Sequence, residues 1–107
     1  MKTALVPLIV VLACSGNALA SEKLAAEKQC LQCHAKDRHL IGPSFNAIRD
    51  VYKSVKRPEQ RLMEVIKGGS SANLGPYWGH VRMPDGSERP AITDGEARQL
   101  ARWILRG

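Results

Sequence analysis

Apolar residues recur along most of this chain at helical spacing. Phe45, Ile48, Val51, Tyr52 and Val55 follow a period near 3.6, and Ser44 stands in front of them as a capping hydroxyl. Pro58 suits the first turn of a further helix, with Leu62, Val65 and Ile66 on one side and Gly68-Gly69 as its stop. Near the C-terminus, Thr93 and Glu96 have the spacing of a capping box, and Ala97, Leu100, Ala101 and Ile104 form the apolar stripe behind it. Arg98, Arg102 and Arg106 repeat every four residues on another face, which reads as solvated. Upstream, "SEKLAAEKQCLQCH" reads as a helix capped by Ser21, with Glu22 in its first turn, leading into two cysteines and a histidine.

One stretch breaks the pattern. Residues 70–91, "SSANLGPYWGHVRMPDGSERPA", show no period and are punctuated by glycine and proline. An irregular segment of that length in a compact domain is usually functional or disordered. Tyr77, Trp78 and Met83 argue for an ordered loop that wraps something. The expectation is therefore all-α: about four short helices, no strands and one long loop. Such helices are too few to fill a core, and a large apolar cofactor between helices and loop would complete it.

The N-terminus reads differently. Lys2 precedes an apolar run from Ala4 to Ala13, which ends in Ala18-Leu19-Ala20. This is the three-part pattern of a secretory signal peptide cleaved before Ser21. The run is about half the ~20 helical residues that a bilayer span requires. The expected organisation is a signal peptide over 1–20, then a single domain over 21–107, exported and without stable membrane insertion. Lipidation at Cys14 after Val11-Leu12-Ala13 is the alternative.

The precursor carries a net charge of +6. That balance suits an acidic protein partner or anionic surface, while export argues against nucleic acid. Lys28, Lys36, Arg38, Lys53, Lys56 and Arg57 are candidates for a basic docking rim.

Cleavage removes Cys14 and leaves Cys30 and Cys33, both inside "CLQCH" at 30–34. A disulfide between cysteines three apart closes a tiny loop and restricts the unfolded chain little. A structural zinc site needs four ligands, and the adjacent Cys33 and His34 could not easily share one ion. A thioredoxin-type dithiol would follow a strand in a βαβ pattern, and none is visible. Covalent haem uses every position: Cys30 and Cys33 as thioethers to the two vinyl groups, His34 as a ligand to the iron. The sixth ligand must then come from far along the chain. Met83, in the irregular segment and followed by Pro84, is the candidate, and His80 is its rival. Met63, among Leu62, Val65 and Ile66, reads as a core residue.

"CLQCH", "IGPSF", "GPYWG", "RMP" and a C-terminal amphipathic helix, in that order, resemble a small bacterial class I cytochrome c of the short periplasmic branch. The resemblance covers essentially all of 21–107. It implies the cytochrome c fold, with one covalently bound haem c, and a monomeric electron carrier rather than an enzyme. Its donors would be proteins such as a quinol-oxidising complex, and its acceptors a nitrite reductase or terminal oxidase. It also implies that the carbonyl of Pro43 accepts a hydrogen bond from the ligand histidine, and that the indole N–H of Trp78 donates to a haem propionate. The chain departs from the pattern at His80, where a proline is frequent, and at Val65, where some members carry a propionate-binding arginine. Its segment 84–93 is also a few residues longer than usual. The competing class is a catalytic or gas-sensing haem protein with an open sixth position.

Overall fold

The computed structural model describes residues 3–8, 16–70 and 82–107. Four α-helices make up the body: α1 (Gly16–Glu27), α2 (Phe45–Tyr52), α3 (Pro58–Gly68) and α4 (Asp94–Arg106). A 3-10 turn over Cys30–Gln32 lies between α1 and α2. Among the described residues the only β pairing is an isolated antiparallel bridge between His34 and His39.

The local signals act where they stand in the sequence. Ser44 caps α2, its Oγ accepting from the Ala47 N–H at 3.0 Å. Pro58 opens α3, which frees its missing N–H from any helical duty. Thr93 and Glu96 form a reciprocal capping box on α4: Oγ1 accepts from the Glu96 N–H, and the Glu96 carboxylate accepts from the Thr93 N–H.

One expectation is overturned. Ser21 does not cap a helix; α1 begins at Gly16 and Ser21 lies inside it, buried and within reach of Gln99. Ala18, Leu19 and Ala20 are good helix formers, so the helix propagates back through them when they are attached. At its other end α1 stops at Glu27, and the cysteines sit on the 3-10 turn beyond it. Gln29, left-handed at φ 66°, makes the corner between the two.

Helix α4 is the centre of the packing, with α1, α2 and α3 all against it. Its stripe of Ala97, Leu100, Ala101 and Ile104 is buried, together with Leu24 and Ala25 of α1, Phe45 and Ile48 of α2, and Leu62 and Ile66 of α3. The fully buried alanines Ala25, Ala97 and Ala101 present no bulk, which lets helices approach closely. Met63 packs partly buried against this core. The opposite face of α4 is solvated as expected, and Arg102 uses it to reach Glu59 of α3 at 2.7 Å. Among the described residues no helix is long and apolar enough to cross a membrane.

Candidate functional site

Beside this thin core lies a cavity of about 300 Å³. Its lining brings together Cys30, Cys33, His34, Pro43 and Met83, residues that span more than half the sequence. The rest of its wall is largely apolar and comes from every helix: Ala25, Phe45, Ile48, Tyr52, Leu62, Val65, Ile66, Leu100, Trp103 and Ile104.

Local backbone bonds set the cysteine end. The 3-10 turn closes with Cys33 N–H to Cys30 O at 3.2 Å and His34 N–H to Cys30 O at 3.0 Å. Both thiols are half-buried and free of any disulfide. Burial pushes the Cys30 thiol above its ordinary pKa, and the positive charge of Arg89 only partly opposes this. A redox-active dithiol needs the reverse, a depressed pKa and a ready thiolate. Among the described residues no three Cys, His, Asp or Glu side chains cluster as a metal site would require.

His34 is held on three sides. Its Nδ1 donates to the Pro43 carbonyl at 2.7 Å. Its ring stacks on Phe45, centroids 5.5 Å apart and planes 27° from parallel. Phe45 meets Trp103 of α4 edge-on at 5.1 Å, so the imidazole is braced through two aromatic rings to the central helix. Gly42 lies directly behind it: a Cβ there would stand 2.7 Å from His34 Cε1. Bonds from Gly42 to Cys33 (2.7 Å) and Phe45 to Ala35 (2.9 Å) lash the two ends of the 34–44 segment together. Burial lowers the His34 pKa, the Pro43 bond pulls the other way, and the nearby His39 lowers it further.

Met83 enters from the other end of the chain. Ser70, just past α3, grips its backbone: the Met83 N–H donates to Ser70 Oγ at 2.7 Å, and the Ser70 N–H donates to the Met83 carbonyl at 3.1 Å. Gly69 makes this approach possible. It sits at φ 74°, and a Cβ on it would lie 2.6 Å from the Met83 carbonyl oxygen.

Trp78 and His80 lie outside the described residues, as does Cys14. Of the proposed basic rim, Lys36, Arg38, Lys56 and Arg57 are exposed. Lys53 is paired with Asp50 at 2.8 Å. Lys28 does not belong to a rim: it is half-buried, donating to the Ala91 carbonyl at 2.9 Å and facing Glu96 at 3.2 Å.

Sequence reading missed the supports rather than the reactive groups. Phe45 was legible as a core residue but not as the surface on which His34 rests. Nothing in "GGSS" marks Ser70 as the partner of Met83. Nothing in the sequence of segment 84–93 marks Arg89 as a contact of α3.

The cavity fits a flat apolar macrocycle by the chemistry of its donors: two thiols, a neutral imidazole and a thioether around an aliphatic and aromatic wall. No protein-family model matches the chain. Individual relatives do. It is 36% identical over 98 residues to cytochrome c-552 of Hydrogenobacter thermophilus, covering 92% of each chain. It is 36% identical over 84 residues to cytochrome c-551 of Azotobacter vinelandii, covering 78% of this chain and 93% of that one. Among solved structures, wild-type cytochrome c552 of Nitrosomonas europaea superposes with a TM-score of 0.68 at 32% identity, over 79% of this chain and 96% of that one.

Proposed function

The chain belongs to the class I monohaem c-type cytochromes of the cytochrome c-551/c-552 group, electron-transfer proteins with one covalently bound haem c, and from that premise we propose how its own residues do this work. Cys30 and Cys33 would hold the haem as thioethers, and His34 and Met83 would be the protein ligands to its iron. The carrying observation is that these four side chains, from two distant parts of the sequence, line one apolar cavity.

Bound there, the haem iron supplies reversible one-electron exchange between its ferric and ferrous states. The residues around it decide how. A carbonyl can only accept, so the Pro43 contact places the proton on Nδ1 of His34 and leaves the Nε2 lone pair for the iron. Burial keeps that ring neutral, as a metal ligand must be. The Met83 thioether is a soft donor that favours the reduced ion and raises the potential relative to two histidines. With His34 and Met83 both held toward the iron, small molecules would be excluded and only electrons would pass. The apolar wall would keep water from the iron, and the family resemblance assigns Trp78 the role of donating its indole N–H to a propionate.

The protein works in the periplasm after loss of residues 1–20, as a monomer. It shuttles electrons from a donor such as a quinol-oxidising complex to an acceptor such as a nitrite reductase or terminal oxidase. Lys36, Arg38, Lys56 and Arg57 form the basic rim that draws in an acidic partner. Cleavage before Ser21 shortens α1 and makes Ser21 its first residue.

Intact mass spectrometry of the exported holoprotein tests this assembly. The expected mass is residues 21–107 plus one haem, retained under denaturing conditions. Haem lost on denaturation, or a mass that includes residues 1–20, contradicts it.

A further inference from the structure

The segment that follows Met83, longer in this chain than the resemblance implies, folds back on α3 through one arginine. Arg89 Nε donates to the Pro84 carbonyl at 3.0 Å. Its Nη2 donates to the carbonyl of Ile66. Ile66 is in the last turn of α3, where carbonyls have no partner within the helix and a cation is favoured by the helix dipole. One planar guanidinium thus joins the peptide next to Met83 to the end of the helix whose continuation, Ser70, already holds Met83 itself.

The arrangement is not one that stability alone would select. Arg89 is half-buried, no carboxylate among the described residues pairs with it, and its Nη1 is buried with no hydrogen-bond partner among them. Burying a cation on neutral carbonyls with a donor left over costs desolvation free energy that an apolar filler would not. What the guanidinium adds is geometry: two donors in a fixed fork set the Pro84 peptide at one distance from α3.

We infer that Arg89 is a positioning residue for the sixth iron ligand, clamping the Met83–Pro84 segment to α3 so that the thioether resists displacement. This rests on the reading of Met83 as that ligand.

The test uses ferric holoprotein of the wild type and of Arg89→Met, Arg89→Gln and Arg102→Met. Arg102 carries an exposed ion pair between α4 and α3 and controls for lost stability. Imidazole can occupy the iron only by displacing the methionine, and the methionine-to-iron charge-transfer band reports its departure. Arg89→Met should keep the band without imidazole yet exchange about tenfold faster, as expected for loss of a charge-assisted hydrogen bond. Arg89→Gln, with a neutral amide in place of the fork, should fall between; it decides the matter if Arg89→Met does not fold. Arg102→Met should exchange at the wild-type rate. Unchanged rates in the Arg89 variants, or a rise in all variants that tracks their lowered denaturant midpoints, overturn the inference. A wild type that lacks the band refutes the Met83 reading itself, and this inference with it.

Discussion

His34 Nδ1 and the Pro43 carbonyl oxygen stand 2.7 Å apart, and this single contact selects which ring nitrogen is left for a metal. The two residues are brought together by the turn through Gly42, whose N–H is tied to the Cys33 carbonyl. Phe45, the first residue of α2, then supplies the flat surface under the ring. The orientation of the imidazole is thus a property of the chain itself.

Gly42→Ala should disturb that orientation. Its Cβ would meet Cε1 and Nδ1 of His34 at 2.7 and 3.0 Å, so the ring or the turn must shift. Overpacking of this kind costs about 1–3 kcal/mol. The expected result is a lower denaturation midpoint and a weakened, partly high-spin iron spectrum. A variant with wild-type spectrum and stability would show that the ring has room.

Gly69→Ala should act on the Met83 side. The residue would have to hold φ 74° with ψ 177°, a region essentially restricted to glycine that costs a side chain roughly 1–3 kcal/mol, and its Cβ would meet the Met83 carbonyl, which is backbone and cannot swing away. The ferrous variant should bind carbon monoxide where the wild type excludes it. Ser70→Ala is the milder counterpart: it leaves the Met83 N–H without its partner, at about 1–3 kcal/mol in stability.

These positions show what sequence could and could not disclose. Helices α2, α3 and α4 were legible because each carries its own start signal next to its apolar period: Ser44, Pro58, and the Thr93–Glu96 box. The cysteines and His34 were legible because their chemistry is compressed into five adjacent residues. In the uncleaved chain Ser21 is not a cap, because a helix start depends on what precedes it, and here Ala18-Leu19-Ala20 continue the helix. The grips on Met83 were invisible because they are tertiary: Ser70 is 13 residues away, and Arg89 reaches a carbonyl 23 residues back. Lys28 counted as a surface charge until the fold placed Ala91 and Glu96 against it.

Acid stability should depend on the α4 capping box. The Thr93 N–H holds the Glu96 carboxyl below its ordinary pKa, with help from Lys28 and the Thr93 hydroxyl. Lys67 does the same for Asp94. A folded-state pKa below the unfolded one means the charged form is favoured by folding. That contribution is complete above the unfolded pKa, near 4, and is lost as pH falls through the folded value. Glu96→Gln should therefore lower the thermal midpoint at neutral pH, and the gap to wild type should close below about pH 4. A gap that does not change with pH would assign no stabilising role to the Glu96 charge.

Encounter with a redox partner should slow as salt is added, because a screening length of ~8–10 Å at ordinary ionic strength removes long-range steering. Neutralisation of Lys36, Arg38, Lys56 and Arg57 together by glutamine should flatten that dependence, whereas Lys28→Gln should lower stability instead of the encounter rate. A flat salt profile in the wild type would remove the basic rim and leave the electron-carrier role intact.

The ligand set is tested most directly by the ferric absorption spectrum of Met83→Ala beside the wild type. The wild type should show the sulfur-to-iron charge-transfer band at the red end of the spectrum, and its ferrous form should exclude carbon monoxide. Met83→Ala should lose the band, bind carbon monoxide and fall in potential, with both thioethers intact. Retention of the band and of carbon monoxide exclusion in Met83→Ala would show that Met83 is not the ligand, and His80→Ala measured beside it would identify the group that is.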